Sequence, residues 1–426
     1  MSDVTQARSP TGSGRMLPVL RQRSFQRLLA GQCLSFLGDG ISVIAFAWVT
    51  IQLTGSTVAL GTVLAAQAIP RAALTAVGGV LSDRMSPRLL MVLSSGARAV
   101  LMTGVGGLST AGALSFTWLI VLAASFGVVD GFFQPARGAI LPSVVDTQHF
   151  EAANGMLLAG SRLAGIGGPA LGGILVASAG TTVAFFTDAA CLVLCTVAVA
   201  LVKPRESEAG RQLERSDDRS RPRGWITRFG RDLREGARYA WADPRIRTML
   251  LVDTVVTFCY AGPFAVGFVA LARERFGGSA SALGFLDAGL AFGAVGGSLL
   301  AARVRRSARL GLLVVGLVLT VSAGCGVLAV VAGVVPAVAT AMVIGFAIGF
   351  QGVFAASWIQ RSIAPNLIGR VVSLDMTAGY AITPLSMLLA GALAGQHLTT
   401  LFLLTAAVLA VTGAGALLSG SVRSMR

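Results

Sequence analysis

The sequence predicts an all-α membrane protein of twelve transmembrane helices in two six-helix halves, and three observations carry that prediction. Hydrophobic side chains make up 54% of the 426 residues and charged ones 12%, about half the charged share of a soluble chain. Apolar stretches long enough for a ~20-residue crossing recur from residue 28 to residue 418, so a single anchor does not account for them. The 53 glycines suit helices that approach closely in lipid, whereas a transmembrane barrel would show ~10-residue alternating segments. A water-soluble enzyme is excluded.

The elements follow in order. Residues 1–27 carry Arg8, Arg15, Arg21, Arg23 and Arg27 and lead into an apolar run without a small-residue cleavage signature, which reads as a cytoplasmic tail and not a signal peptide. The N-terminal half, 28–202, has spans at 28–52, 57–81, 89–109, 115–138, 153–177 and 181–202. A cytoplasmic linker, 203–246, comes next; from Lys203 to Arg247 the chain holds 13 basic and 8 acidic residues. Its second part, WITRFGRDLREGARYA, sets Ile226, Phe229, Leu233 and Ala240 at helical spacing, as an amphipathic helix lying on the inner leaflet would. The C-terminal half, 247–419, has spans at 247–271, 280–302, 309–332, 336–358, 369–394 and 398–419, and 420–426 forms a second cytoplasmic tail.

Charge sets the orientation. With both termini cytoplasmic, the inner connections hold Arg84, Arg88, Arg137, Arg303, Arg305, Arg306, Arg309, Arg361 and Arg370, while the outer ones hold only Arg273 and Arg275. That asymmetry is the positive-inside signal of a multi-pass protein of the cell membrane, and Trp48, Trp118 and Trp358 fall where interfacial anchors belong. A repeat supports the two halves: Gly79 and Gly297 are 218 residues apart and Pro169 and Pro384 are 215 apart. Parallel repeats of this kind place a substrate site near the bilayer midplane between them.

Several function classes drop out. The net charge of +15 comes from 33 arginines and one lysine placed on one side of the membrane, so it implies no nucleic-acid partner. The single lysine, Lys203, follows Val202 and lies outside any phosphate-cradling loop, which excludes ATP-driven transport within this chain. His149 and His397 fall on opposite sides, and Cys33, Cys191, Cys195, Cys259 and Cys325 lie in apolar spans as small hydrophobes, so no catalytic cluster, metal site, cofactor or disulfide is expected.

Two motifs carry a resemblance. At the inner end of the second span GGVLSDRMSPRLL places Gly79, Asp83, Arg84 and Arg88 in a G-x-x-x-D-R-x-G-R-R pattern, with Ser86 and Pro87 replacing its second glycine and following basic residue. The fifth span, GMLLAGSRLAGIGGPALGG, sets Gly155, Gly168, Pro169, Gly172 and Gly173 in the pattern G-x8-G-x3-G-P-x2-G-G, with Ala164 at one glycine position. The first pattern resembles the major facilitator superfamily and the second its drug/proton antiporters. PARGAILPSVV, EAANG and QRSIAPNLIGRVVSLDM are similar to the macrolide-efflux and siderophore-exporter branch. The R-x-x-x-G motif that drug exporters often carry early in the fourth helix is missing. The resemblance implies the major facilitator fold and a cytoplasmic gate in which Asp83 caps the start of the eleventh helix near Arg370, with Arg137 as a charge partner. By physics alone, Gly160, Ala164, Gly168 and Gly172 form a small-residue ridge and Pro169 removes one backbone hydrogen bond.

An ionisable group at membrane depth costs at least ~2.5 kcal/mol on insertion scales, so each one is a functional candidate. Asp39, Arg71, Arg98, Asp130 and Arg162 lie well inside the N-terminal spans; Asp188, Asp253 and Asp287 sit nearer span ends, where snorkelling or interfacial carboxylates are ordinary. Asp39 and Asp130, with Arg71 and Arg162 as movable cations, are the proton-coupling candidates, against the alternative of a static ion pair. For Asp39 the flanking Gly38 and Gly40 read as opening space around the carboxylate. Arg98, on a helix that the family packs away from the cavity, reads as structural. Phe132, Phe133, Tyr260, Phe264, Phe350 and Phe354 are candidate walls of an apolar substrate cavity.

These features predict a monomeric secondary exporter of amphiphilic small molecules, with protons as coupling ion and alternating access; the alternatives are an uptake facilitator or symporter on the same fold, or a non-transporting sensor. The topology has a direct test. In a cysteine-free background, Ser220→Cys in intact cells should resist a membrane-impermeant maleimide and react once the membrane is permeabilised; labelling from outside intact cells would invert the orientation.

Overall fold

The structure, a computed structural model, describes residues 19–203, 225–303, 310–363 and 365–418; the side chains of 76–84, 147, 225–230, 232, 233, 310, 360, 365 and 366 fall outside that description. Its helices are α1 (Arg23–Thr54), α2 (Thr57–Arg84), α3 (Pro87–Thr110), α4 (Phe116–Ala139), α5 (Phe150–Ala200), α6 (Trp225–Ala242), α7 (Pro244–Glu274), α8 (Ala280–Arg303), α9 (Leu310–Val330), α10 (Val334–Ser362), α11 (Pro365–Gln396) and α12 (Leu398–Leu418). All except α6 are long and apolar enough to cross a membrane.

The 51 residues of α5 would run about 75 Å as one helix, far beyond a ~30 Å hydrocarbon core. At Gly180 the backbone takes φ 87°, ψ 169°, a region essentially reserved for glycine, and the chain turns there. The two arms, 150–179 and 181–200, are two crossings, which brings the total to twelve.

The halves repeat one another in their packing. In the first half α1 packs on α5, α2 on α4, and α3 on α5; in the second, α7 packs on α11, α8 on α10, and α9 on α12. Glycine lets these backbones touch: Gly127 of α4 sits on the carbonyl of Gln67, and Gly293 and Gly297 of α8 sit on those of Met342 and Phe346. Side chains such as Val100, Leu163, Val330 and Val335 stand highly exposed on the outside, as lipid-facing residues do.

Between the halves, contact concentrates at the end of the bundle opposite α6, here called the far face. The first arm of α5 meets α8 where Gly173 abuts Gly284, and α2 meets α11 where Gly61 abuts Gly391. Thr57 Oγ1 donates to the Gly391 carbonyl at 2.9 Å, and Arg273 Nη1 donates to that of Gly55 at 2.7 Å. These are the two hydrogen bonds between the halves among the described residues, so the conformer is closed at the far face.

Two expectations change. Trp48, predicted to anchor at an interface, is only 8% exposed and packs in the core with Leu60 and Leu64, because its helix is covered on that side. The linker helix α6 does not simply lie on lipid: Ala240 is buried with Ile246, Ile359, Ile363 and Val371, and Gly236 lies against the Arg370 backbone. The side chains of Ile226, Phe229 and Leu233, predicted for its apolar face, lie outside the description.

The glycine contacts make the closed far face testable. A Cβ at position 284 would fall 2.5 Å from the Pro169 carbonyl oxygen and 2.9 Å from Gly173 Cα, and backbone cannot yield there. In a cysteine-free background carrying spin labels at Gln52→Cys and Gln396→Cys, Gly284→Val should lengthen the far-face distance distribution. An unchanged distribution in a folded variant would remove the gating role of this contact.

Candidate transport site

The N-terminal half is organised around a guanidinium sealed from solvent. Arg98 of α3 is 0% exposed and forms an ion pair with Asp39 of α1. Its Nη1 lies 3.8 Å from Asp130 Oδ1 of α4 and donates to Ser35 Oγ at 3.4 Å. Phe126 and Phe133 cover it, with ring centroids 4.7 and 5.0 Å from the guanidinium carbon. Asp130 faces a second cation, Arg71 of α2, at 3.8 Å. Asp188, on the second arm of α5, is also 0% exposed; no hydrogen bond reaches either of its oxygens, and Arg98 and Ser42 lie within electrostatic reach. Asp39 and Asp130 thus pair with two guanidiniums, and Asp188 forms no ion pair among the described residues.

The Gly38-Asp39-Gly40 triplet works differently from its sequence reading. The glycines do not open space around Asp39; they seat two neighbours. A Cβ on Gly38 would collide with the Asp188 carboxylate, and one on Gly40 would lie 2.7 Å from Pro169 Cδ and 2.8 Å from Gly168 Cα. One turn of α1 therefore touches both arms of α5 while Asp39 reaches α3.

The fifth-span motif is a packing surface on two sides. Gly160 lies against Cys33, Gly168 against the Leu37 carbonyl and Gly40, and Gly172 against Ile41, all on α1; Gly173 turns to α8. Gly155 meets nothing within 4 Å. The similar ridge of α8, Gly289, Gly293 and Gly297, packs on Val338, Met342 and Phe346 of α10.

Of the predicted gate, the side chains of Gly79, Asp83 and Arg84 lie outside the described residues. Arg88 is turned to the end of α5, donating to the carbonyls of Val199 and Ala200, so it caps a helix C-terminus. Arg137 stacks on Phe36 of α1 at 4.5 Å and lies within electrostatic reach of Asp130. Arg370 pairs with Glu235 of α6 at 2.6 Å, which ties the linker helix to the start of α11.

A cavity of about 350 Å³ opens between the halves. Ile44 and Ala47 of α1, Leu64 and Arg71 of α2, Tyr260 and Phe264 of α7, Asp287 and Leu290 of α8 and Met387 of α11 line it. Of the six aromatics predicted for a cavity, Tyr260 and Phe264 are in its wall. Phe133 lies buried beneath Arg98 and Phe132 packs beside the same cluster. Phe350 is buried and stacks on Phe354 at 5.0 Å, away from the cavity walls. Arg162, predicted as a movable partner for the carboxylates, is exposed and forms no ion pair among the described residues, because its helix presents its glycine ridge, not Arg162, to Asp39.

Residues 28–385 match the Major Facilitator Superfamily. The chain belongs to that family. It is 28% identical over 423 residues to the multidrug efflux pump Tap of Mycobacterium tuberculosis, covering 93% of this chain and 94% of the relative. Among solved structures it resembles a bacterial homologue of the human lysosomal transporter Spinster in an inward-facing and occupied conformation, with a TM-score of 0.70, 14% identity, and coverage of 94% and 96%. The nucleoside transporter NupG aligns with the same TM-score at 11% identity, covering 95% and 100%. The chain is thus a multi-pass membrane transporter of the Major Facilitator Superfamily.

Three residues outweigh their sequence reading. Arg98, read as structural, touches two of the carboxylates under discussion. Asp188 and Asp287, read as interfacial, are respectively sealed in the core and placed in the cavity wall. One signal was available for Asp188: with Leu192, Cys195 and Val199 it forms a stripe at helical spacing, and all four are fully buried. Arg98 carries the energetic test. Removing one partner of a buried ionic cluster costs about 3–5 kcal/mol, so Arg98→Met should fold poorly and lower the thermal midpoint markedly, whereas Arg162→Gln should leave it within a few degrees. Equal midpoints for wild type and Arg98→Met would remove Arg98 from the centre of this half.

Proposed function

We propose that this chain exports amphiphilic small molecules in exchange for protons, with the α6 face and both termini in the cytoplasm. The observation that carries the reading is Asp188: it is sealed in the N-terminal half without an ion pair among the described residues, while Asp39 and Asp130 pair with Arg98 and Arg71. A carboxylate without an ion pair at membrane depth is costly, and a proton removes that cost. The name of the Tap relatives supports export, and the concentration of arginines on the α6 side supports the orientation. One chain supplies both halves, so a monomer suffices. Closure at the far face then makes this conformer inward-facing.

Arg71 joins the network to the cavity. It lines the cavity and lies 3.8 Å from Asp130, which in turn faces Arg98. A substrate that fills the cavity presses the guanidinium toward Asp130; the closer cation favours the ionised carboxylates and expels the proton to the cytoplasm. When the halves rock and the substrate leaves, Arg71 relaxes and the network takes up a proton from outside. Asp39 is the port for that proton, since its side chain is 27% exposed against 6% for Asp130. On this reading Asp83, Arg84, Arg88, Arg137 and Arg370 close the opposite, cytoplasmic side in the alternate state.

Replacing Asp39 or Asp188 by its amide removes a carboxylate that a proton would neutralise. In inside-out vesicles with an imposed pH gradient, Asp39→Asn and Asp188→Asn should each reduce gradient-driven ethidium accumulation about tenfold or more, a loss of roughly 1.4 kcal/mol or more of coupling, while ethidium exchange without a gradient persists. Folded variants that accumulate ethidium at the wild-type rate would reduce the cluster to a static ion-pair network.

A further inference from the structure

The cavity between the halves contains a carboxylate that the protein does not answer. Asp287 projects from α8 into its wall, eight residues into the helix and within the membrane-spanning stretch. Among the described residues it has no ion pair and no hydrogen bond. Of the two nearby cations, Arg71 lines the same cavity but faces Asp130, and Arg162 lies exposed within electrostatic reach of Tyr260 and forms no ion pair with Asp287. The phenol of Tyr260 is the further titratable group in reach of Asp287. Leu283 and Leu290, the α8 neighbours of Asp287 in the wall, are apolar, as are Ile44, Leu64 and Met387 across it.

A second feature of the wall points the same way. Tyr260, Phe264 and Phe268 run along α7 as a ladder of rings with centroids 5.5 and 5.2 Å apart, and the first two face the cavity. Aromatic faces attract cations and cover apolar bodies, and they offer nothing to an anion. A lone carboxylate beside such a ladder matches a ligand with one positive charge and an apolar body.

We infer that Asp287 is the charge anchor of the cavity, holding the positive end of an amphiphilic organic monocation whose apolar body lies against Tyr260 and Phe264. The inference rests on the export reading for its place in transport and deepens it: the cargo class is cationic. A bound cation also adds positive potential beside Arg71, the sign needed to expel the coupling proton. Asp287 is supplied by the C-terminal half and the proton network by the N-terminal half, so cargo and coupling ion occupy different halves of one site.

Two probes of equal shape and opposite charge test it: tetraphenylphosphonium and tetraphenylborate, each titrated against the purified full-length protein in lipid nanodiscs. Wild type should bind the phosphonium, with the borate at least about tenfold weaker. Asp287→Asn should weaken phosphonium binding about tenfold or more, the scale expected when one member of a desolvated charge pair is removed. Asp287→Glu should stay within about threefold, with thermal midpoints of both variants close to wild type. Equal phosphonium binding by wild type and Asp287→Asn overturns the anchor, and so does a wild type that binds the borate as well as the phosphonium or binds neither. If Asp287→Asn does not fold, the wild-type preference between the two probes decides. Binding is read without a gradient, so the two readings fail separately. Asp287-dependent phosphonium binding with no gradient-driven transport would keep the anchor and remove the antiport, and gradient-driven transport with charge-blind binding would do the reverse.

Discussion

A guanidinium with no exposed surface, held between membrane helices, is the constraint on which the N-terminal half depends. Arg98 is tolerated at that depth only because α1, α4 and the second arm of α5 each turn a carboxylate toward it and two phenylalanine rings cover its faces. Those three approaches need close packing, and glycine supplies it: Gly38 leaves room for the Asp188 carboxylate and Gly40 for the Pro169 turn. The ion cluster and the glycine contacts are therefore one design. Moving any of the four helices would change the field at every carboxylate, which is what a coupling site in a rocking half requires.

Among the described residues, the C-terminal half is built on the same helix pairings without such a cluster. Its α8 and α10 touch backbone to backbone through glycine, and Ser386 joins α7 to α11 by accepting from the Gly262 amide at 2.8 Å and donating to the Phe258 carbonyl. Arg275 shows the contrasting use of an arginine: at the far face it donates to the carbonyls of Leu328, Ala329 and Val331 and to Thr399, capping α9 and fastening α12. Interfacial Arg275 holds helix ends, whereas Arg71 and Arg98 at membrane depth meet carboxylates. The asymmetry between the halves places the ionic machinery on one side of the cavity and the aromatic wall on the other.

The contacts between halves are few and lie at one end. Gly173 with Gly284 and Gly61 with Gly391 bring four helices into backbone contact, helped by two hydrogen bonds. Contacts of this kind tolerate no added methyl group, yet they contain few polar bonds to break, so they close a face tightly and release it at low cost. The fifth-span motif serves this arrangement directly, since consecutive residues Gly172 and Gly173 pack on α1 within the half and on α8 across it.

Composition and spacing by themselves determined the class: lipid cannot satisfy exposed backbone polar groups, so apolar stretches of span length must be helices, and the arginine asymmetry and 215–218-residue offsets divide them into repeats. They also located the acids and bases that lie at depth, because charge within an apolar run is visible without a fold. The partners were decided only in three dimensions. Helix rotation determines whether Arg162 or Arg98 meets Asp39, and a rotation of one residue's worth, about 100°, is invisible to hydropathy. The surroundings of Asp188 and Asp287 are hidden for a related reason: position along a span says how far a group lies from the membrane surface but not whether it faces lipid, core or cavity. The aromatic positions divide in the same way, since Phe133 and Phe350 are buried while Tyr260 and Phe264 line the cavity. What the helices are was written locally; which faces they show one another was settled by packing across the whole chain.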